Sequence, residues 1–393
     1  MDCSSCGNPL LLPMCFLSAG CKMLVTLKLN NVVLLDNPSM PCFPTLKTLS
    51  LLSVKYPGGD EFVKRLLSSC HVLEDLVVER CPDDYVTTFT VRVPSLMSCV
   101  LRTSEDIDAY GEDGFVIDAP SLKFLEILDH SGASCVIENN MPNIVKANVD
   151  VADSYPWKIL RSITSVKDLY LCFPISKDAY PAGCVFHSLV HLKICTCDRR
   201  WLNLLMRFLR DSPNLQALKL EQCHTCLAEP HPRWRKPSSV PEYIGVWVRN
   251  AVKRCVRELD IEINSLSAEN PVTLPWSLCS AGCRMLVTLK LSNMTLVGGA
   301  SSLPASFYSL KNLSLVYMKY PSEEFVNKFL SNCPVLEDLA VQQCPGDNVT
   351  VLTVKIPSLK TLSLRNSTYR DDDACGFLID APSLESVDIL DHC

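Results

Sequence analysis

A chain of 393 residues, 48% of them hydrophobic and 20% charged, is long and apolar enough to bury a large core. Its 37 Lys and Arg against 43 Asp and Glu leave a net charge of −6 with both signs interspersed, which argues against a basic nucleic-acid-binding surface and against a charged tail. No apolar run approaches the ~20 residues needed to cross a bilayer, so neither nucleic acid nor membrane is expected as a partner.

The 22 cysteines would suggest a disulfide framework in a short secreted chain. The early apolar stretch from Leu10 to Leu17 lacks a basic flank, however, and the motif Leu12-Pro13 to Ala19-Gly20-Cys21 returns inside the chain as Leu274-Pro275 to Ala281-Gly282-Cys283. A cleaved leader would not reappear mid-chain. The expected setting is therefore reducing and intracellular, in nucleus or cytoplasm, with thiols mostly free and buried.

One pattern, L-x-x-L-x-L, recurs along the whole chain, most clearly from Phe43-Pro44-Thr45-Leu46 to Leu51 and from Ile356-Pro357-Ser358-Leu359 to Leu364. Its first aliphatic residue falls at Leu24, Leu46, Leu73, Leu96, Leu122, Ile144, Val166, Leu189, Leu215, Val256, Leu286, Leu310, Leu336, Leu359 and Leu384. Most steps are about 22–27 residues, the range of leucine-rich repeats, and one, from Leu215 to Val256, is much longer. The last two leucines of the motif are two apart, so they point to one face of a short strand. Such a strand cannot bury that face alone, but parallel stacking of successive strands makes one continuous core. The expected fold is an α/β leucine-rich-repeat solenoid, a horseshoe with short parallel strands on its concave face and mixed helical and irregular crossovers on its convex face.

In chain order, helices are expected from Gly59 to Ser69, from Arg199 to Arg210 with Trp201, Leu204, Leu205, Phe208 and Leu209 inward, and after the N-cap Ser322 with Phe325, Val326, Phe329 and Leu330 inward. The crossover from Arg102 to Asp118 is polar and reads as irregular. Cys81, Cys223 and Cys344 share one place just after a strand, where a small buried residue suits the turn.

Residues from about 9 to 130 align with those from about 271 to 392, as in Val72-Leu73-Glu74-Asp75-Leu76 and Val335-Leu336-Glu337-Asp338-Leu339, so a five-unit block is duplicated. The pattern breaks over residues 224–242, with Pro230, Pro232, Pro237 and Pro241 among basic residues. These features divide the chain into a first array, 1–223, a Pro-rich linker, 224–242, and a second partial array, 243–393. The prolines leave few donors to continue a sheet, so two separate curved blocks are expected. The alternative is one continuous solenoid with a crossover helix from Trp247 to Arg254. The last unit, Leu384 to Ile389, is expected to lie open, exchange its amides fastest and promote self-association.

Three sets of residues carry a family resemblance: Cys333-Pro334 to Leu339 with Cys344, the units Ala119-Pro120-Ser121-Leu122 and Ala381-Pro382-Ser383-Leu384, and Trp234-Arg235-Lys236-Pro237 to Val240-Pro241. Together they resemble the plant-expanded F-box proteins with leucine-rich repeats and an FBD domain. The Trp234 segment is similar to the entrance of the FBD domain, and Trp247 to Asp260 to the segment that follows an F-box. The resemblance implies the substrate receptor of a cullin-type ubiquitin ligase, docked to a Skp-type adaptor and recognising a protein substrate. No adaptor-docking helix is found at residues 1–20 or before Trp247, and the FBD-like part stops early. An adaptor-free interaction scaffold or decoy, or a fragment of a tandem duplication without function of its own, therefore stands as the alternative.

No nucleophile elbow, phosphate-binding loop or HExxH motif occurs, so no enzyme, catalytic residue, cofactor or metal is expected. Cys3-x-x-Cys6 has no partner pair nearby, Cys223, His224, Cys226 and His231 straddle repeat and linker, and Asp371-Asp372-Asp373 reads as a solvated loop. Partner-binding residues are expected at the outward x positions of the strands. Asp168, Tyr170, His191 and Lys193 are expected on one stretch of the concave sheet, and Glu258, Asp260 and Glu262 form an acidic stretch after the seam.

Overall fold

The computed structural model describes residues 9–13, 22–35, 42–81, 83–104, 114–152, 156–173, 180, 183–195, 201–221, 254, 256–262, 272–275, 285–298, 307–343, 349, 351–366 and 376–391. They form two compact units, Met1–Leu189 and Val190–Cys393. Each of the fifteen motif starts is followed, two residues on, by a parallel strand. In the first unit these are β1 (Thr26–Asn30), β2 (Thr48–Leu52), β3 (Asp75–Arg80), β4 (Ser98–Thr103), β5 (Phe124–Asp129), β6 (Lys146–Val151) and β7 (Asp168–Cys172). In the second they are β8 (His191–Cys195), β9 (Ala217–Glu221), β10 (Glu258–Glu262), β11 (Thr288–Ser292), β12 (Asn312–Met318), β13 (Asp338–Gln343), β14 (Thr361–Asn366) and β15 (Ser386–Asp391). Within each unit every strand pairs in parallel with the next, so the fold is the expected leucine-rich-repeat solenoid.

A turn starts each strand. The N–H of the first leucine bonds the carbonyl three residues back, as in Leu96 to Val93 at 3.2 Å, Leu122 to Ala119 at 3.1 Å and Leu359 to Ile356 at 3.2 Å. Proline fills the second position of these turns (Pro94, Pro120, Pro357), where its fixed φ is already correct. The Ser or Thr that follows stitches one unit to the last: Thr45 Oγ1 donates to the Leu24 carbonyl at 3.0 Å, Ser95 Oγ to Leu73 at 2.8 Å and Ser358 Oγ to Leu336 at 2.7 Å. The recurring Pro-(Ser/Thr)-Leu triplet thus encodes both the turn and the inter-unit bond.

Inside each strand burial alternates. Leu49 and Leu51, Leu76 and Val78, Leu313 and Leu315, and Leu362 and Leu364 are all buried, while their neighbours face away from the core. Burying each such side chain contributes about 1.5–3 kcal/mol. The core is closed on its other side by the crossovers. The helix α1 (Gly59–Ser68) buries Phe62, Val63, Leu66 and Leu67, and α2 (Trp157–Ser162) buries Ile159 and Leu160. The helix α3 (Trp201–Asp211) buries Leu204, Leu205, Phe208 and Leu209, the side chain of Trp201 lying outside the described residues. The helix α4 (Glu323–Ser331) buries Phe325, Val326, Phe329 and Leu330, and Ser322 caps it by accepting from the Phe325 N–H at 3.2 Å.

Several crossovers are strands where the sequence suggested irregular chain. Segments Thr88–Arg92, Gly114–Asp118 and Cys135–Ile137 form a small parallel sheet, so the stretch from Arg102 to Asp118 ends as a strand. Two-stranded equivalents join Leu10–Pro13 to Val32–Leu35, Val272–Pro275 to Met294–Val297 and Val351–Lys355 to Gly376–Asp380. Phe89 and Phe115 fill the space beneath, edge to face at 6.3 Å, with Tyr56 on Phe89 at 6.2 Å. The backbone approach is close enough that a Cβ at Gly114 would sit 1.9 Å from the Ser134 carbonyl oxygen, so only glycine fits. Asn31 and its duplicate Asn293 occupy the left-handed region (φ 53° and 59°) just after β1 and β11, a conformation that Asn tolerates.

The seam does not interrupt the ladder of the second unit. Ala217, Lys219 and Glu221 of β9 pair with Glu258, Asp260 and Glu262 of β10. Arg257 and Glu258 N–H groups both reach the Gln216 carbonyl, at 2.8 and 3.0 Å. At this step the two strands are register neighbours, and the prolines lie between them in sequence and not within either. Those prolines, the segment Trp247 to Lys253, and Cys223 and Cys344 lie outside the described residues; Cys81, the third cysteine of that set, is buried. In β15 the inward residues Val387 and Ile389 are 49% and 46% exposed, whereas Leu362 and Leu364 of β14 are fully buried.

Seven of the nine described cysteines are buried and none of the nine is held in a disulfide. Burial pushes Cys99 and Cys333 up to about 12 and Cys70 to about 11. Their reactive thiolates are thus disfavoured in the folded chain, and at pH 8 these thiols should label far more slowly in native protein than in denaturant. Rapid native labelling of Cys99 would contradict this. On the two faces of one strand, Leu339→Ala should cost about 2–5 kcal/mol and Ala340→Ser less than about 0.5 kcal/mol, read from denaturant midpoints. Equal losses would overturn the inward and outward assignment.

A candidate charged recognition face

The outward residues of the ladder stand in rows, because parallel register places each beside its counterpart on the next strand. In the second unit one row runs Lys193, Lys219, Asp260, Lys290, Ser314, and the row beside it contains Glu221, Glu262 and Ser292. Lys219 is central. Its Nζ lies 3.2 Å from Glu262, 3.4 Å from Glu221 and 3.6 Å from Asp260, and Lys193 reaches Glu221 at 2.6 Å. Burial acts to lower the Lys219 pKa, but Asp260, Glu262 and Glu221 together overcome it and raise it. Asp260 is itself raised, because burial outweighs the attraction of Lys219 and Lys290. The set is therefore a compact cluster of mixed charge, with Asp260 its least comfortable member.

The expected acidic stretch Glu258, Asp260, Glu262 is present on β10, but two of its three carboxylates are balanced by Lys219. The sequence reading missed Lys219, Glu221 and Lys290. Their signal was visible as x positions in Leu215 to Glu221 and Leu286 to Leu291. What hid their meaning was the long step to Val256, which concealed that β9 and β10 are register neighbours.

Asp168 and Tyr170 lie on β7 of the first unit, outward and half-buried, beside Lys146 and Asn148 of β6. His191 and Lys193 lie on β8 of the second unit, also at outward positions. On the first unit, Arg102 donates to Glu126 Oε1 through Nε at 3.0 Å and Nη2 at 2.7 Å, Asn148 donates to Glu126 Oε2 at 3.3 Å, and His130 Nε2 lies 2.8 Å from Asp150. An apolar set, Val77, Val100 and Phe124, also faces outward there.

Among the described residues no group of three or more His, Cys, Asp or Glu side chains is placed to hold a metal ion. The sequence candidates Cys3 and Cys6, the cluster Cys223, His224, Cys226 and His231, and Asp371 to Asp373 lie outside the described residues. No described helix is long and apolar enough to cross a membrane.

A family model described as the leucine-rich repeats of FBD-associated F-box protein At5g56370 matches residues 3–149 and again 244–393, so each duplicated block is matched separately. Among similar Arabidopsis thaliana proteins, the probable FBD-associated F-box protein At1g32375 is 48% identical over 303 residues, 77% of this chain and 68% of the relative. The putative FBD-associated F-box protein At5g50270 is 56% identical over 251 residues, 62% of this chain and 61% of the relative. The F-box/FBD/LRR-repeat protein At5g56420 is 49% identical over 233 residues, 59% and 54%. The chain thus spans little more than half to two thirds of these relatives.

The raised Asp260 pKa means that the fold disfavours its ionised form. Its contribution is greatest at low pH and falls as pH rises through the window between the unfolded and folded values. Removing the lysine should widen that window. In Lys219→Met, a carboxyl NMR titration should move Asp260 further upward; an unchanged or lowered midpoint would show that Lys219 does not hold this charge.

Proposed function

Because the chain belongs to the leucine-rich-repeat family of FBD-associated F-box proteins, we propose that it is a protein-recognition scaffold, the substrate-receptor part of an F-box-type ubiquitin ligase. The observation that carries this reading is the division of labour within each strand. Inward residues build the core, and outward residues, held in register by backbone bonds, present a mixed row of charge, amide and hydroxyl groups. Low net charge with interspersed signs suits a protein partner better than a polyanion. Repeat families of this kind are generally interaction scaffolds and not enzymes, and catalysis would be supplied by other subunits. The reading places the chain inside the cell, in nucleus or cytoplasm, and keeps the division into arrays 1–223 and 243–393 about a linker, 224–242. On this proposal Asp168 and Tyr170 of the first unit, and His191, Lys193, Glu258, Asp260 and Glu262 of the second, are partner-binding residues of their own units.

On this proposal the repeats recognise the substrate, and adaptor docking is not their task. In a titration of the purified full chain with a purified Skp-type adaptor, no saturable binding is expected. Saturable binding with a fixed stoichiometry would overturn this assignment and place adaptor contacts on the repeats themselves.

A further inference from the structure

The duplication provides a comparison within one molecule. Strands β1–β5 and β11–β15 descend from the same block, and each provides inward and outward positions in matched register. At the inward aliphatic positions only Cys99/Leu362 and Leu125/Val387 differ between the copies. Most outward positions differ. Three of those changes alter the surface in one direction: Val77, Val100 and Phe124 of the first copy stand where the second has Ala340, Ser363 and Ser386.

The three first-copy residues are neighbours. Val77 pairs with Val100 across β3 and β4. Phe124 on β5 pairs with Ser98, two residues before Val100, and so lies diagonal to it. With strands about 4.8 Å apart, the strip is about 10 Å wide, room for one or two apolar side chains of a partner. All three are half-buried at positions facing away from the core. The core does not require them to be apolar, since the second copy carries small and polar residues at the same places on the same ladder. Directly beside the strip in register, the outward acids Asp75, Glu79 and Glu126 outnumber Arg102 and Lys146, and Arg102 is already engaged by Glu126. The surface that surrounds the apolar strip is therefore acidic on balance.

We propose that β3–β5 of the first copy are a docking strip for an extended protein segment carrying an aliphatic or aromatic side chain between basic residues, and that the second copy does not take such a segment. The proposal rests on the recognition reading above and names where and what the first array binds. The two arrays then have different specificities on the same pattern of inward leucines.

The test uses the full chain and an array of twelve-residue synthetic peptides that combine a central Leu, Phe or Ser with Lys, Gln or Glu flanks. Lys-flanked Leu and Phe peptides should bind best, and their binding should weaken as salt is raised. The triple variant Val77→Ala, Val100→Ser, Phe124→Ser adopts residues that the second copy already carries, so it should keep the wild-type circular dichroism and melting profile. Its affinity for the Lys-flanked Leu and Phe peptides should fall tenfold or more. The reciprocal variant Ala340→Val, Ser363→Val, Ser386→Phe should gain a second equivalent of binding. Preference for Glu flanks, or no preference for an apolar centre, would overturn the proposal. Selective binding that survives the triple substitution but is lost in Lys219→Met would remove the strip and keep the recognition reading. No selective binding to any peptide would count against both.

Discussion

One carbonyl per unit holds the solenoid in register. The residue just before a strand presents its C=O to two successive N–H groups of the next repeat: Lys47 and Thr48 to Val25, Glu74 and Asp75 to Lys47, and Met97 and Ser98 to Glu74 in the first compact unit, and Gln216 and Ala217 to Val190 through Glu385 and Ser386 to Lys360 in the second, at 2.7–3.1 Å. This forked acceptor fixes where each strand begins relative to its neighbour. A slip by one residue would turn every leucine outward, so the hydrogen bonds and the buried leucines enforce the same register. The turn that precedes the strand, with proline in its second position at Pro94, Pro120 and Pro357 and other residues at His71, Thr164 and His187, delivers the two N–H groups to that carbonyl.

That constraint separates two kinds of position with different obligations. Inward residues must be apolar and of nearly fixed volume, since interiors are close-packed. Outward residues answer only to their row neighbours. The row through Lys193, Lys219, Asp260 and Lys290 and the row of Glu221 and Glu262 beside it show what they do with that freedom, setting lysines against acids so that carboxylates and ammonium groups meet at 2.6–3.6 Å. Such partly exposed pairs add little to stability, and the raised pKa of Asp260 means that burial of its carboxylate outweighs what its lysine neighbours return. A face whose charges are not justified by stability is the face on which recognition can be written.

The repeat was legible from the sequence because its signal is redundant. Every strand start was marked by an aliphatic residue, and the motif recurred often enough to survive Ala147 in place of a leucine. The helices were legible where an apolar stripe and a cap coincided, as at Ser322. The strands of the second layer were not. Thr88–Arg92, Gly114–Asp118 and Cys135–Ile137 are three to five residues long, and their partners lie one full repeat away, so nothing local announces the pairing. The acidic trio Glu258, Asp260, Glu262 was legible as residues but not as electrostatics, because its counter-charge Lys219 sits across the longest step in the chain.

That longest step also says why duplication produces a foldable chain. A ladder strand needs a turn, a forked carbonyl and two inward aliphatics, and it needs nothing from the length of the crossover that delivers it. Loop closure costs rise only slowly with length, so the stretch between β9 and β10 can be far longer than its neighbours while Leu218 and Leu220 still pair with Leu259 and Ile261. Two arrays can therefore be joined by matching a single strand. Because the match is made through backbone and core, it places no demand on the outward residues of either array. The first block can keep Val77, Val100 and Phe124 while the second carries Ala340, Ser363 and Ser386, and neither choice disturbs the leucines beneath.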